Sequence, residues 1–577
     1  MAISPLNKPD RSRWVLPIPR TTIPSFIFPS PTKPLPNTLL YVDTTAPNDF
    51  QLTLHSLREW SKRLASGLQK NGLRKGDRVM LVSRNCIFLP IIVLGILMAG
   101  GIYVPANPRS VPRELTFQMN SVQPRFLICE EDAALVVLES LKSLKDPITI
   151  TKEDVFVLQR GYQESQKQTA PLGLKHWFSV LADPQEAAGF DWENAKDKIT
   201  SDDTAMLLYS SGTSGLPKGV EVTHYNLVAN AMQMNHMFDL DTSRAGPSAK
   251  SQGKSRWLCC LPIYHGLAAV VYVTIAPHRR ITTYIMRDFD RHHMLSAIEK
   301  FRLTDLITVP PIVVGISKDI QARLGKYDLS SVREVVCAAA PLAREQAEAF
   351  EQLWPNKTVN LKQAYGLTEM SGLPIMLNPN ERSDSAAVGE LVPNCEAVIM
   401  SEDGTKRMPD GERGELWCRA PSMMKGYWHE PEATKEAITQ DGWLKTGDIA
   451  IRDSQGQYHI VDRKKEFIKV KGAQVAPAEL EGILLEHPEI IDAGVVGVKM
   501  DDTELPRAYV VRRPGSSLSA QEVLDYMAPN TSKVKWLAAG VRFVNSIPRT
   551  PSGKIMRRIL RAQAEEEQRA ERSQWNL

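Results

Sequence analysis

The segment Tyr209-Ser-Ser-Gly-Thr-Ser-Gly-Leu-Pro-Lys-Gly219 concentrates glycine and hydroxyl residues in one short stretch. It follows the apolar run Met206–Leu208 and precedes Glu221-Val-Thr-His224, so we expect it to join a core strand to a helix. Such residues leave backbone N–H groups free to surround an anion, and Lys218 adds a mobile positive charge. The pattern therefore predicts an anion-binding loop that follows a core strand.

Two other interpretations of this segment are less favoured. A flexible Gly/Ser linker rarely lies between a core strand and a helix. A Walker A loop is excluded, because Pro217 stands where that motif needs its second glycine, and Gly219 follows Lys218 where the motif needs Ser or Thr.

On either side of this segment, strand-sized apolar runs alternate with stretches of helix periodicity. The leucines from Leu54 to Leu68 form one helix face, and the chain then turns into the strand Val79–Val82. Further apolar runs bounded by turns are Phe126–Cys129, Ala205–Leu208, Trp257–Cys260 and Val335–Val336. Buried parallel strands with crossover helices have this pattern, so the sequence predicts parallel sheets.

The run from Cys86 to Ala106 carries no charge and has the length of a membrane span. Gly100-Gly101 divides it into a helix-sized piece, Leu89–Ala99, and a strand-sized piece, Ile102–Pro105. We therefore expect a buried helix followed by a core strand, and no integral membrane segment. A membrane anchor is the less favoured alternative.

The composition is that of a soluble globular chain, with 577 residues of which 43% are hydrophobic and 24% charged. At this length we expect several domains. A net charge of +4 over the whole chain gives no reason to expect nucleic-acid binding. The seven cysteines are odd in number and form no CxxC pair, which indicates buried thiols in a reducing compartment.

The chain is expected to divide into three parts. Residues 1–36 hold nine prolines and predict an extended arm wrapped over the surface. Residues 37–462 form the large domain, which becomes rich in hairpin turns after about residue 380. A hinge candidate at Asp462–Lys465 introduces a small α+β domain over residues 463–577. Its predicted elements are a helix from Pro477, strands near Ala493–Val498 and Ala508–Val511, and a charged helix over Arg558–Arg572.

The glycine-rich segment resembles the phosphate-binding signature of the acyl-adenylate-forming enzymes. These include acyl-CoA synthetases, 4-coumarate–CoA ligases, beetle luciferases and peptide-synthetase adenylation domains. The family's other motifs follow in order as Ala364-Tyr-Gly-Leu-Thr-Glu369, Gly442-Trp-Leu-Lys-Thr-Gly-Asp448, Asp462-Arg-Lys-Lys-Glu-Phe-Ile-Lys-Val-Lys-Gly472 and Pro548-Arg-Thr-Pro-Ser-Gly-Lys554. The resemblance covers roughly residues 50–560 and is strongest to the 4-coumarate–CoA ligase-like branch. It implies an α/β fold with a large multi-subdomain N-terminal domain of parallel sheets and a β-rich piece, plus a small mobile α+β C-terminal domain.

The residue types in these motifs suit the formation of an acyl adenylate, in which a carboxylate attacks the α-phosphate of ATP. Both partners are anions, so the site needs cations and preorganised donors. Glu369 suits a Mg²⁺ ligand, Thr368 can donate to the α-phosphate, and Tyr365 offers a flat face for adenine. Asp448 suits the ribose hydroxyls, a role that the resemblance extends to Arg463. The expected nucleotide-binding positions also include Ser210, Ser211, Gly212, Thr213, Ser214, Gly215, Lys218, Gln363, Ala364 and Lys554.

The small domain is expected to serve two half-reactions in turn. By resemblance, Lys554 bridges the carboxylate and the α-phosphate during adenylation, and Lys465 is the pivot of the domain. Lys469 then lies near the adenylate, and Lys471 and Gly472 bind coenzyme A. A mobile domain makes sense of this arrangement, because one site must first neutralise a phosphoryl transfer and later admit a thiol.

His265 matches a family position at the acyl pocket, although a lone histidine after a strand is more often a satisfied core residue. We expect it to orient the carboxylate, because an ionised acid has no proton to lose. The other acyl-pocket positions are Leu267, Val271, Ala340 and Met376. Leu267 and Val271 fall where related enzymes hold hydroxyl side chains against a phenolic acid, and they offer a buried phenol no partner. We therefore expect an apolar aliphatic or unsubstituted aryl acid.

Three departures from the family pattern concern the site. The family's Gly-Ala-Ala-Pro is here Ala338-Ala-Ala-Pro341, and the glycine before Tyr365 is here Ala364. Each adds a methyl group, so we expect a tighter adenine or acyl pocket. A family lysine that helps to bind coenzyme A falls at Asp288, beside Arg287.

The expected function is an ATP- and Mg²⁺-dependent ligase that makes an acyl-CoA thioester, as in secondary-metabolite biosynthesis, from a small carboxylic acid and coenzyme A. The alternatives are a stand-alone adenylation enzyme that loads a carrier protein, a luciferase-like oxidase of the adenylate, and an inactive binding module. Lys218, Glu369, Asp448 and Lys554 argue against the last of these. The terminal Gln574-Trp-Asn-Leu577 is not a peroxisomal Ser-Lys-Leu signal, so we expect a cytoplasmic enzyme.

Overall fold

The computed structural model of the protein describes most of the chain. The described residues are 9–145, 150–159, 170–194, 198–209, 217–242, 254–320, 325–354, 358–383, 386–470, 473–500, 503–550 and 553–575.

The strands up to the predicted hinge are β1 Asp10–Arg11, β2 Leu39–Asp43, β3 Gln51–Thr53, β4 Arg78–Val82, β5 Ile102–Ala106, β6 Phe126–Glu130, β7 Val155–Leu158, β8 Lys175–His176, β9 Thr204–Tyr209, β10 Gly219–Thr223, β11 Arg256–Cys259, β12 Thr282–Ile285, β13 Asp305–Thr308, β14 Glu334–Cys337, β15 Leu361–Leu367, β16 Gly372–Met376, β17 Glu390–Leu391, β18 Glu396–Met400, β19 Gly414–Arg419, β20 Gly426–Tyr427, β21 Leu444–Arg452 and β22 Tyr458–Arg463. The strands beyond it are β23 Ile468–Val470, β24 Ala473–Val475, β25 Ile490–Met500, β26 Thr503–Arg512 and β27 Val541–Phe543.

The helices are α1 Ile23–Ile27, α2 Leu54–Lys70, α3 Leu89–Met98, α4 Pro112–Val122, α5 Ala134–Leu141, α6 Pro184–Ala188, α7 His224–Asp239, α8 Gly266–Ala268, α9 Ala276–Arg279, α10 Arg291–Phe301, α11 Pro310–Ile320, α12 Arg344–Glu351, α13 Pro431–Ala437, α14 Pro477–Glu486, α15 Ala520–Asn530 and α16 Arg557–Trp575. A π-helical stretch, Ala269–Ile275, joins α8 to α9.

Two largely parallel sheets form the centre of the large domain. One has the strand order β20-β10-β9-β5-β4-β6-β7-β8, and the other has the order β17-β16-β15-β14-β13-β11-β12-β2-β3. In the second sheet β15, β14, β13, β11, β12 and β2 run parallel to one another. The carboxyl ends of these strands therefore meet at one edge of the sheet, which is where ligands bind in α/β proteins.

The apolar run from residue 86 to 106 is buried at the first of these two sheets, to which strand β5 belongs. Helix α3 has no exposed residue on any face, and it leads through Gly100-Gly101 into the fully buried strand β5. This confirms the predicted buried helix and core strand. No helix among the described residues is both long and apolar enough to cross a membrane. All seven cysteines are buried free thiols, as their surroundings in the sequence predicted.

A β-rich layer and a small α+β unit complete the fold. Strands β1, β18, β19, β21 and β22 form an antiparallel sheet, in which the predicted turn at Asp453–Gly456 joins β21 to β22. Beyond the predicted hinge, α14, α15 and α16 accompany the hairpin β25–β26 and its parallel neighbour β27. The observed class is therefore the predicted one, with parallel sheets, a β-rich piece and a small terminal unit.

The proline-rich arm is only partly the surface strap that the sequence predicted. Strand β1 pairs with β18 at the edge of the antiparallel sheet. Further along, Ile23, Ile27 and Phe28 are fully buried in the main core, and the Ile23 backbone N–H donates to His224 Nδ1 at 3.2 Å. Three large apolar side chains gain more from burial than from lying at the surface, which overrides the expectation based on proline content.

The connection around the glycine-rich segment also differs from the prediction. We expected the segment to lead directly into a helix, but strand β10 comes first and pairs antiparallel with β9, with Gly219 opposite Tyr209. Helix α7 begins only afterwards, with Thr223 as its N-cap. Strand β10 therefore stands between the segment and helix α7.

Candidate active site

The site lies at the carboxyl edge of the second sheet, where the small domain meets the large one. A cleft of about 540 Å³ is bounded there by the loop Ala339–Ala343, by the end of β22, by α14 and by Lys554. A second, smaller cavity of about 90 Å³ extends from it towards His265 and Leu267. Lys554 lines both spaces and therefore stands at their junction.

Asp448, the predicted ribose acceptor, is held in place by two partners. The Tyr365 hydroxyl donates to Asp448 Oδ2 at 2.6 Å, and Arg463 Nε lies 3.4 Å from Oδ1. The register of β21 and β22 explains this contact, since Asp448 and Arg463 are directly opposite each other. Burial, and then the nearby Asp448 carboxylate, raise the pKa of Tyr365 well above its ordinary value. Tyr365 therefore remains a neutral donor that fixes Asp448.

Glu369, the predicted Mg²⁺ ligand, follows the carboxyl end of β15. The Tyr427 hydroxyl donates to Glu369 Oε1 at 2.9 Å, and Lys218 Nζ lies 5.1 Å from the centre of the Tyr427 ring. Tyr427 thus links the predicted metal ligand to the cationic end of the glycine-rich segment. The described residues contain no group of three or more His, Cys, Asp or Glu side chains that could hold a metal. A lone carboxylate fits Mg²⁺ that brings phosphate oxygens and water as its remaining ligands.

Lys554 is presented by a tight hairpin. The Thr550 backbone N–H donates to the Lys554 carbonyl at 2.7 Å, and the Lys554 N–H donates to Thr550 Oγ1 at 3.1 Å. Arg549 Nη1 donates to the Gly553 carbonyl at 2.7 Å, and Nη2 of the same side chain donates to Asp492 Oδ1 at 2.7 Å. Burial, and then the charge of Arg463, lower the pKa of Lys554 to about 8. The lysine is therefore charged at neutral pH.

Both apolar and polar side chains line the smaller cavity. Leucines 208, 267 and 373 and Ala338 line it, together with Thr368. His265 Nε2 and Ser371 Oγ also belong to residues at this cavity, and both are buried with no hydrogen-bond partner among the described residues. Burial, and then the charge of Lys554, lower the pKa of His265 to about 4, so its ring is neutral. A ligand bound in this cavity would supply the missing partner of the His265 nitrogen.

Four other predicted site residues line neither cavity, and a fifth lines the larger one. Gln363 is buried, its Nε2 donates to the Leu342 carbonyl at 2.9 Å, and its Oε1 accepts from the Leu342 backbone N–H at 3.1 Å. Its contribution is therefore to fix the loop that lines the cleft. The residues Ala364, Met376 and Val271 are buried in the core and line neither cavity, whereas Ala340 lines the larger one.

Several predicted positions remain predictions. Ser210, Ser211, Gly212, Thr213, Ser214, Gly215, Lys471 and Gly472 lie outside the described residues. Lys465 and Lys469 are described, and both are exposed. Asp288, which replaces a family lysine, lies 3.1 Å from Arg109 and 3.4 Å from Arg84.

Sequence reasoning missed Tyr427 and Ser371. Tyr427 lies outside the family motifs and reaches Glu369 only because β20 pairs with β10. Ser371 follows Thr368-Glu369-Met370 and has a backbone φ of 54°, a conformation rarely adopted by residues other than glycine, asparagine or aspartate. Its position directly after the motif was the one available signal.

The chain is similar in sequence to a known enzyme family and to several of its members. Sequence profiles of the AMP-binding enzyme family and of the AMP-binding enzyme C-terminal domain match residues 35–428 and 479–554. The probable CoA ligase CCL5 of Humulus lupulus is 36% identical over 514 residues, which cover 88% of this chain and 87% of the relative. The phenylacetyl-CoA ligase epaB of Aspergillus niger is 35% identical over 534 residues, which cover 91% of this chain and 94% of the relative.

A solved structure shares the fold. ATP-bound MatB from Rhodopseudomonas palustris has a TM-score of 0.78 at 24% sequence identity, and the match covers 94% of this chain and 99% of that chain.

Proposed function

Since the chain belongs to the AMP-binding enzyme family, we propose that it is an AMP-forming acid–CoA ligase. In the first half-reaction a carboxylate oxygen attacks the α-phosphorus of ATP and pyrophosphate leaves. In the second, the thiol of coenzyme A attacks the acyl carbonyl and AMP leaves. The relatives named CoA ligases support coenzyme A as the acceptor.

The observation that carries this proposal is the place of Lys554. It lies where the apolar cavity opens into the cleft, so its charge faces both the acid and the nucleotide. Two anions must approach each other at that point, and a buried cation lowers the cost of bringing them together. Glu369 would hold Mg²⁺, which supplies further positive charge to the phosphates. Asp448 and Arg463 would hold the ribose.

The acyl side supports an apolar acid. Leu208, Leu267 and Leu373 line the cavity, and the neutral His265 ring offers one nitrogen to the carboxylate. The relative named phenylacetyl-CoA ligase supports the same class of substrate. We propose that plain aryl acids and medium-chain aliphatic acids are the substrates.

A pyrophosphate-release assay over a panel of acids, with and without coenzyme A, tests this function. Cinnamate should exceed 4-coumarate in kcat/KM by about ten- to hundredfold, because a phenol left unpaired in an apolar pocket costs about 1–3 kcal/mol. A higher kcat/KM for 4-coumarate would contradict the apolar substrate class. Pyrophosphate release without any thioester in the presence of coenzyme A would point instead to a carrier-protein acceptor or to oxidation of the adenylate.

A further inference from the structure

Helix α14 of the small domain is held at both ends by charged side chains that lie before residue 463, outside the small domain. At its first turn, Asp462 Oδ2 accepts a hydrogen bond from the Ala478 backbone N–H at 3.0 Å. At its last turn, Lys318 Nζ donates to the Leu485 carbonyl at 3.1 Å and also to the nearby Ile490 carbonyl. Lys318 belongs to α11 of the large domain.

Both charges have the sign that the helix ends favour. A helix carries partial positive charge at its N-terminus and partial negative charge at its C-terminus, where backbone groups lack partners within the helix. Helix α14 has no capping hydrogen bond from the Ala476 side chain and no basic residue in its last turn. Glu479 in the first turn and the His487 N–H, which bonds the Leu484 carbonyl, serve the two ends in part. The Ala478 N–H and the Leu485 carbonyl take their partners from Asp462 and Lys318.

Helix α11 also contacts the hairpin that presents Lys554. Gly553, whose φ is 85°, lies so close to the first turn of α11 that a methyl group at 553 would stand 3.1 Å from Pro311 Cδ and 3.3 Å from Val309 Cγ2. Helix α11 thus contacts the Lys554 hairpin at its start and α14 near its end. Helix α11 is about 16 Å long at 1.5 Å per residue, so a single helix connects the two contacts.

The middle of α14 is close to the large domain as well. A methyl group at Gly482 would lie 3.7 Å from Ala343 Cβ, at the N-cap of α12. Burial, and then the charge of Glu345 on α12, raise the pKa of Glu486. The nearby like charges of Glu345 and Glu486 oppose docking, so the contacts at the helix ends must outweigh this repulsion.

We propose that Lys318 is a positioning residue for adenylation, which docks α14 on the large domain in the orientation that places Lys554 in the site. The proposal rests on the proposed ligase function. Lys318 touches neither the acid nor the nucleotide in this role, and it acts through the backbone carbonyls of Leu485 and Ile490. Thioester formation, which needs the thiol rather than Lys554, does not depend on this orientation.

The test compares Lys318→Met with the wild type in two separate assays. Acid-dependent ATP–pyrophosphate exchange should fall about ten- to hundredfold, the range expected for loss of hydrogen bonds from a charged donor. Conversion of a supplied acyl adenylate and coenzyme A to thioester should stay within about twofold. Lys318→Arg should recover most of the exchange activity, because it restores a charged donor. Lys300→Met, an exposed lysine on the neighbouring helix α10, is the matched control.

A second readout does not depend on activity. Hydrogen–deuterium exchange at Ala478, at the opposite end of α14 from Lys318, should become faster in Lys318→Met but not in Lys300→Met. Equal losses in the two half-reactions, or unchanged ATP–pyrophosphate exchange, would overturn the positioning role, as would unchanged protection at Ala478. A wild-type enzyme that shows exchange but forms no thioester would refute the proposed ligase function. The Lys318 role would then be decided by ATP–pyrophosphate exchange and by protection at Ala478.

Discussion

The nucleotide side and the acyl side of the site differ in how completely their polar groups are paired. On the nucleotide side, Asp448 already has Tyr365 and Arg463 as partners, and Glu369 has Tyr427. On the acyl side, His265 Nε2 is buried without a partner among the described residues. Phosphoryl transfer needs preorganised charge whatever the acid, whereas a carboxylate must find an unoccupied donor. The first side is therefore fixed in advance, and the second is completed by its substrate.

Removing the charge at the junction of the two sides should have the largest effect. Lys554→Ala is expected to lose about 10²–10³ in acid-dependent ATP–pyrophosphate exchange, because it removes a preorganised cation from a developing anionic transition state. The same variant should still convert a supplied acyl adenylate and coenzyme A to thioester. Both reactions are measured on the purified variant, and equal loss in the two would contradict a role confined to adenylation.

A change on the nucleotide side should weaken binding without changing the choice of acid. Asp448→Ala removes the expected ribose acceptor and leaves the Tyr365 hydroxyl and Arg463 without it. We expect ATP to bind about ten- to hundredfold more weakly by calorimetry, with the order of acids in the panel unchanged. Circular dichroism checks that the variant is folded. Unchanged ATP affinity in a folded variant would show that the ribose lies elsewhere.

The two half-reactions should also respond differently to pH, with a smaller effect than that of the substitutions above. The pKa of Lys554 is lowered to about 8, so its charge is present below that pH and is lost as the pH rises through it. ATP–pyrophosphate exchange should therefore fall about tenfold between pH 7 and pH 9. Burial also lowers the pKa of Lys318 to about 8. Loss of its charge should therefore reduce the exchange activity over the same pH range.

Thioester formation from supplied adenylate should change in the opposite direction over this range. The attacking species is the thiolate, and an ordinary thiol has a pKa near 8.5, so its reactive fraction grows with pH. The neutral His265 ring does not titrate here, since its pKa is lowered to about 4. Parallel pH profiles for the two half-reactions would show that Lys554 is not the group that limits adenylation.

The sequence by itself determined the family, the order of the core elements and the candidate residues at the nucleotide. Asp448, Glu369 and Lys554 could be named in advance because each lies in a short motif whose chemistry is local to a turn or strand end. The buried helix α3 and strand β5 were predictable for the same reason, since the Gly100-Gly101 break is a local signal.

Only the tertiary structure decided which residues act through contacts distant in sequence. The Tyr427 hydroxyl reaches Glu369 across 58 positions, and Lys318 reaches Leu485 across 167. The burial of Ile23 and Phe28 depends likewise on the core they enter, and proline content cannot reveal it. Val271, expected in the acyl pocket from its spacing after His265, lies instead in a π-helical stretch and lines neither cavity. Motifs specify chemistry at one point of the chain, but packing and docking depend on surfaces that only the folded chain brings together.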